Sequence, residues 1–311
     1  MHFKKALKSF KELIQIYFTE QMISFGSNKL INAHLTFRNQ DGSVEHFYHF
    51  LLGFLVPLVR AIPTLEHSFK INNFYVRSCA VMDEIINEIE CPKLIIIKKD
   101  QLKNVKNSSF SNKIKYQRFY FVGYDHANKY NKEIFSNVSE ILRRRLSDQI
   151  ASEQSNITRN FAKNGPKIVL IDRGNPHEFY ASEDCEIKTA GRQRRSIGNF
   201  DELESIIKNK YDNVISAVLE GRSLSYQIAL FQLADIVISQ HGAALSNLIW
   251  AREGINVIEI SPQDLHPKCR EAFGLLARCL GQNYYRIEQL HSHGDVNISD
   301  IAVTLDEIIS D

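Results

Sequence analysis

The segment DIVISQHGAALSNLIWAREGINVIEISP, from Asp235 to Pro262, concentrates residue types that can bind an anion. An apolar run ends at Ser239 and the chain turns through Gln240-His241-Gly242-Ala243-Ala244. A short helix follows, with a cap expected near Ser246. Gly242, beside the small Ala243 and Ala244, lets backbone N–H groups come close to a diphosphate, and a helix N-terminus adds a favourable dipole. His241 and Asn247 offer further donors. Glu259 ends the next apolar run, where a carboxylate can accept hydrogen bonds from ribose hydroxyls. The plainer alternative is a glycine turn with a capping histidine, and sequence alone leaves both readings open.

A second group lies upstream. Arg173 closes the run KIVLIDR, and GRQRRSIGN, from Gly191 to Asn199, precedes a helical pattern. A strand-end position puts Arg173 on the same sheet rim as His241. Guanidinium forks match phosphate oxygens two at a time, so Arg173 and Arg195 together can neutralise a departing diphosphate. A solvated basic loop is the bland alternative. His49, within HFYHFLLGFLVPL, is the candidate general base, because an unperturbed imidazole titrates near pH ~6.5; it reads equally as a core histidine. Glu220, followed by Gly221, is the reserve base. The sequence holds no Asp-x-Asp, the nearest approach being Asp184-Cys185-Glu186, so no metal site is expected.

These residues need a scaffold, and the chain's apolar periodicity predicts one. NAHLTF, NNFYV, KLIIIK and QRFYFVG read as buried strands, with a nearly continuous apolar helix from His46 to Ile62. NKEIFSNVSEILRRRLSDQI is one amphipathic helix closing this half, and the polar stretch from Ala151 to Gly165 is the expected linker. After Pro166, strands (KIVLIDR, NVISAVL, DIVIS, NVIEI, NYYRIE) alternate with helices. That is the signature of a doubly wound α/β sheet. The expected organisation is two Rossmann-like domains, residues 1–155 and 166–311.

Bulk properties exclude several classes. A net charge of +2 disfavours nucleic-acid binding, which usually comes with a clear basic excess. No run of about 18 consecutive apolar residues occurs, so a membrane-spanning helix is not expected. The start of the chain lacks a secretory apolar core, which points to the cytoplasm. Phe3, Leu7, Phe10 and Ile14 fall at helical spacing among four lysines, so residues 3–17 can form a basic face for peripheral contact with the inner membrane. The five cysteines form no CxxC pair and read as idle thiols. No GxGxxG follows a strand, which argues against a nicotinamide-dependent oxidoreductase.

In order, LIDR, RSIGN, Gln227 within SLSYQIALFQLAD, SQHGAALSN and VIEI resemble glycosyltransferase family 61, and HFYHFLLGFLVPL is similar to that family's Tyr-His-Phe segment. The resemblance implies a GT-B-type fold with an interdomain cleft and an inverting transfer of sugar from a nucleotide, commonly UDP. It implies a glycan or lipid-linked acceptor, as in surface polysaccharide or capsule synthesis, and no cofactor beyond the donor. The nucleotide-sugar site would comprise Arg173, Arg195, Asn199, His241, Gly242, Ala243, Asn247 and Glu259. The chain departs from the family at Gly53, where an acidic residue often stands, and at His46, often Asn. Those departures keep a non-catalytic sugar-nucleotide or glycan-binding subunit as the alternative.

Overall fold

The computed structural model describes residues 30–38, 42–98, 101, 114–161, 164–187 and 189–310, so the basic segment 3–17 lies outside it. The protein is mixed α/β, with one four-stranded and one five-stranded sheet, all parallel. It divides into two compact units. The first comprises the described residues up to Glu45 together with His49–His126; the second comprises His46–Tyr48 and everything from Ala127 on.

In the first unit, β1 (Leu30–Arg38) leads to helix α1 (Phe47–Ser68), β2 (Ile71–Arg77), α2 (Asp83–Glu88), β3 (Leu94–Ile97) and β4 (Ile114–Val122). The sheet order is β3-β2-β1-β4. Adjacent residues of a strand point to opposite faces, so the unbroken buried run in β1 means that both faces of its centre are covered. Helix α1 is long and apolar enough to cross a membrane by length and composition, yet 72% of its most apolar window is buried inside the protein. Its apolar surface belongs to the core. The helix widens into a π turn at Leu51–Leu55, where the Val56 N–H reaches the Leu51 carbonyl. Pro57, which has no N–H, comes next and cannot bond back to Gly53. Gly53 and Gly123 meet backbone to backbone: a Cβ on Gly123 would lie 2.5 Å from Gly53 Cα. Two glycines are what allow the end of β4 to abut α1.

The second unit opens with α3 (Lys132–Arg145) and α4 (Ser147–Thr158), then β5 (Ile168–Asp172), α5 (Gly191–Arg194), α6 (Phe200–Lys210), β6 (Val214–Val218), α7 (Leu224–Leu233) and β7 (Ile236–Gln240). A 3-10 helix (Ala243–Trp250), β8 (Asn256–Pro262), α8 (Pro267–Arg270), α9 (Ala272–Leu280), β9 (Asn283–Gln289) and α10 (Ile298–Ser310) complete it. Strand order is β6-β5-β7-β8-β9. A core of Ile168, Leu170, Ile236, Ile238, Ile258 and Ile260 joins β5, β7 and β8 to α6 through Leu203 and Ile207, and to α10 through Ile301 and Leu305. Helix α7 starts at a Ser223 cap, whose hydroxyl accepts from the Tyr226 N–H, and α9 stops at Gly281 in the left-handed region.

The unit boundary differs from the expected one. The single helix expected over 131–150 is two, broken at Leu146, and both belong to the second unit. Helix α4 packs on α7, with Gln154 donating to Gln232 at 2.9 Å, and α3 packs on the 3-10 helix. The polar composition of 151–158, taken as linker, is the solvent face of α4. Its buried Ile150 and Ile157 supply the packing face.

Candidate functional site

Each sheet has one place where its strand order reverses, and ligands of open α/β sheets bind beyond the strand ends at such points. In the second unit the chain passes from β5 to β6 on one side and returns to β7 on the other, so the reversal lies between β5 and β7. Arg173 directly follows β5 and His241 directly follows β7. The Arg173 Nη2 donates to the His241 carbonyl at 2.7 Å, and Arg195 Nη1 donates to the same oxygen at 3.2 Å. Arg173, Arg195 and His241 thus meet on one rim.

Gly242 is required by close approach. A Cβ there would lie 1.8 Å from Arg173 Nη2, so any side chain would push the guanidinium off the turn. Ala243 begins the 3-10 helix, half-buried. Ser246, expected as a cap, instead turns its hydroxyl back to the Ala243 carbonyl at 2.5 Å. The N-cap position is Gly242 itself.

Electrostatically this rim is unusual. Burial, and then the neighbouring Arg195 charge, push the Arg173 pKa down to about 10. Burial, and then Arg194, push Arg195 down to about 10. Among the described residues neither guanidinium has a carboxylate within ion-pair distance, and Arg173 Nε is buried without a hydrogen-bond partner. Asp172 pairs with Arg192 instead. Two cations crowded in a low-dielectric pocket without a counter-ion favour an incoming anion.

His241 and Glu259 are placed differently from expectation. Glu259 is fully buried: Oε1 lies 2.5 Å from His241 Nδ1, and Oε2 accepts from the Tyr284 hydroxyl at 2.6 Å. Both oxygens are thus held by protein, so Glu259 orients His241, and the ribose role assigned to it is withdrawn. Burial lowers the His241 pKa below 6.5, against the opposing pull of Glu259. A folded-state pKa depressed in this way means the unfolded chain takes up the proton first. Stability is therefore fully present above the unfolded value of ~6.5 and lost as pH falls through the folded value. The urea midpoint is expected to drop between pH 7 and pH 5, and His241→Gln should flatten that dependence.

Asn247 and Asn199 also hold the scaffold. Asn247, fully buried, donates to Gln227 at 3.0 Å and to the Ala244 carbonyl at 3.1 Å, and accepts from the Trp250 indole at 3.0 Å. Asn199 brackets Val296, accepting from its N–H at 2.9 Å and donating to its carbonyl at 3.1 Å. Asn247 spends both amide hydrogens bracing the turn after β7, whereas Asn199 braces the loop after α5 and keeps one N–H to spare. Glu220 is exposed on the turn after β6, its carboxylate raising the Arg173 pKa from a distance.

Three contributors were missed. Tyr284 on β9 completes the Glu259 chain. Gln240 and Gln289 form a buried staple, with Gln240 Nε2 2.6 Å from Gln289 Oε1, and both donate to the Ser196 carbonyl, at 2.8 and 3.0 Å. That staple anchors the loop carrying Arg195. Nothing in the local sequence marks a partner lying two strands away.

In the first unit the reversal lies between β1 and β4. There His49 Nδ1 sits 2.9 Å from Asp125 Oδ2, with side-chain exposures of 15% and 1%. The third missed signal was therefore Asp125, just past the apolar run QRFYFVG. A Cβ at Gly42 would fall 2.4 Å from His49 Nε2, so glycine lets the preceding loop pass the imidazole edge. His46, by contrast, lies against Arg194, whose Nη1 is 3.1 Å from its Nδ1. No cluster of three or more His, Cys, Asp or Glu side chains suited to a metal ion occurs among the described residues. All five cysteines are free thiols.

A search of curated proteins gives no significant match. The family model described as Glycosyltransferase 61 matches residues 47–258, a span that includes His49, Asp125, Arg173, Arg195 and His241 and stops just before Glu259. With most of its length matched, the chain belongs to the glycosyltransferase 61 family and is a glycosyltransferase.

Proposed function

We propose that the protein is an inverting, metal-independent transferase of GT-B type that moves a sugar from a UDP-linked donor to a glycan or lipid-linked acceptor in surface polysaccharide synthesis. The observation that carries the donor site is the Arg173/Arg195 pair on the His241 carbonyl, two half-buried cations lacking a carboxylate partner among the described residues. As the anomeric carbon–oxygen bond breaks, negative charge gathers on the leaving diphosphate. Guanidiniums already desolvated and fixed there stabilise that charge without reorganising, which is the role a divalent ion fills in other transferases. Gly242 and Ala243 supply backbone donors at the start of the 3-10 helix, while Asn199, Asn247 and Glu259 hold the frame.

His49 is the proposed base for the acceptor hydroxyl, with Glu220 in reserve. Glu220 acts on the field of the donor arginine Arg173, where its charge opposes that of the diphosphate, and this favours His49. A cytoplasmic location with membrane contact through residues 3–17 belongs to the same proposal and suits a lipid-linked acceptor.

Calorimetric titration of the whole chain with UDP, in the presence of EDTA, tests the donor site. Saturable one-to-one binding that is unchanged by the chelator is expected. Absence of binding by UDP, and then by CMP and GDP, would remove the nucleotide-sugar reading of this rim.

A further inference from the structure

We propose that Asp125 is the positioning residue for His49: its carboxylate accepts the Nδ1–H and so fixes the tautomer in which Nε2 is the basic nitrogen. The proposal rests on His49 being the acceptor-side base and deepens that reading. Four observations carry it. Asp125 and His49 stand together at the strand-order reversal of their own sheet, between β1 and β4, where the fold directs ligands. Their separation is 2.9 Å, a charge-assisted hydrogen-bond distance. Asp125 is almost completely buried while His49 keeps a side-chain exposure of 15%, so the carboxylate is the inner member of the pair. The contact also depends on a dedicated backbone arrangement, because a Cβ on Gly123 would collide with Gly53 and come within 3.0 Å of Asp125 Oδ1.

Free histidine prefers the tautomer with its proton on Nε2, which would present a donor to an incoming hydroxyl. A carboxylate on Nδ1 inverts that preference and stabilises the imidazolium that forms. The step balances as follows. The acceptor O–H proton passes to His49 Nε2 and the acceptor oxygen bonds to the anomeric carbon. The bond from that carbon to the phosphate oxygen breaks, and its electron pair leaves with the diphosphate. The imidazolium then returns its proton to solvent. With no carboxylate at position 53, Asp125 supplies charge to this histidine from the turn after β4 rather than from α1.

Two measurements on the full chain test this. The first is nitrogen-15 NMR of the imidazoles, with His49 assigned by its absence in His49→Gln. His49 is expected in the Nδ1–H form in the wild type and in the ordinary Nε2–H form in Asp125→Ala; an Nε2–H wild-type ring would overturn the proposal. The second is UDP release from UDP-N-acetylglucosamine, UDP-xylose and UDP-arabinose with water as acceptor. Asp125→Asn is expected to lower kcat about 100-fold while KM, UDP affinity and thermal midpoint stay put. His49→Ala/Asp125→Asn should be no slower than His49→Ala, because the two act as one unit. Full activity of Asp125→Asn beside an inactive His49→Ala would overturn the positioning role and leave His49 as base. A fully active His49→Ala would overturn both. If all three donors are inert, the donor assignment fails, and the NMR result still decides the Asp125 assignment.

Discussion

Arg195→Ala is expected to weaken UDP binding by roughly 30- to 150-fold, equivalent to about 2–3 kcal/mol for a hydrogen-bonded charge lost from a desolvated site. The free protein should not be destabilised in proportion. Arg195 is one of the charges that depress Arg173, and burial already holds it below its ordinary pKa, so its removal relieves a like-charge contact. The expected signature is a large rise in Kd by calorimetry with a thermal midpoint unchanged or slightly raised. Arg195→Lys keeps the charge and loses the planar fork, and should fall between the two. A parallel loss of stability and binding in Arg195→Ala would mean that the guanidinium serves the fold through the His241 carbonyl, and the anion-site assignment would fail.

Glu259→Ala is expected to cost roughly 2–6 kcal/mol of folding stability, about 1–3 kcal/mol for each of the two buried donors it leaves without an acceptor. The magnitude follows from the local inventory. Glu259 is wholly buried and takes hydrogen bonds from His241 and from Tyr284, both of which would be orphaned together. Burial and the Glu259 charge both raise the Tyr284 pKa, which keeps the phenol protonated as a donor. Glu259→Gln keeps the shape and one acceptor and should lose less. Urea unfolding with an unchanged slope and a lowered midpoint checks this. A neutral Glu259→Ala would show that the His241–Glu259–Tyr284 chain contributes nothing to the fold.

Much of this scaffold was legible in the sequence. The nine strands among the described residues follow from apolar runs bounded by polar turns. The alternation after Pro166 led directly to a parallel sheet, because each run is too short to be anything but a strand between helices. HGAALSN stood out because a glycine between a strand and a helix has few purposes. The strand-end arginine and the RSIGN loop were placed correctly on the same rim. Where the reading failed, it failed on polar partnerships. Glu259 and Asn247 looked like ligand-binding groups because sequence reveals a polar residue near a turn, but not whether a protein donor already occupies it. The unit boundary failed for a related reason. The composition of 151–158 is polar on average, and two buried isoleucines at helical spacing were enough to dock α4 on α7.

By itself the sequence determined the element types, the two-sheet α/β class, the family, and which turns could approach an anion, since these depend on residues close together along the chain. The tertiary structure alone decided who partners whom. Parallel register sets Ser239 opposite Glu259 and Glu259 opposite Arg286, which brings His241 and Tyr284 to the two oxygens of one carboxylate. Strand order sets β5 beside β7 and β1 beside β4, which puts Arg173 against His241 and His49 against Asp125. Register and strand order arise from packing between distant segments, and no local pattern of residue types carries that information.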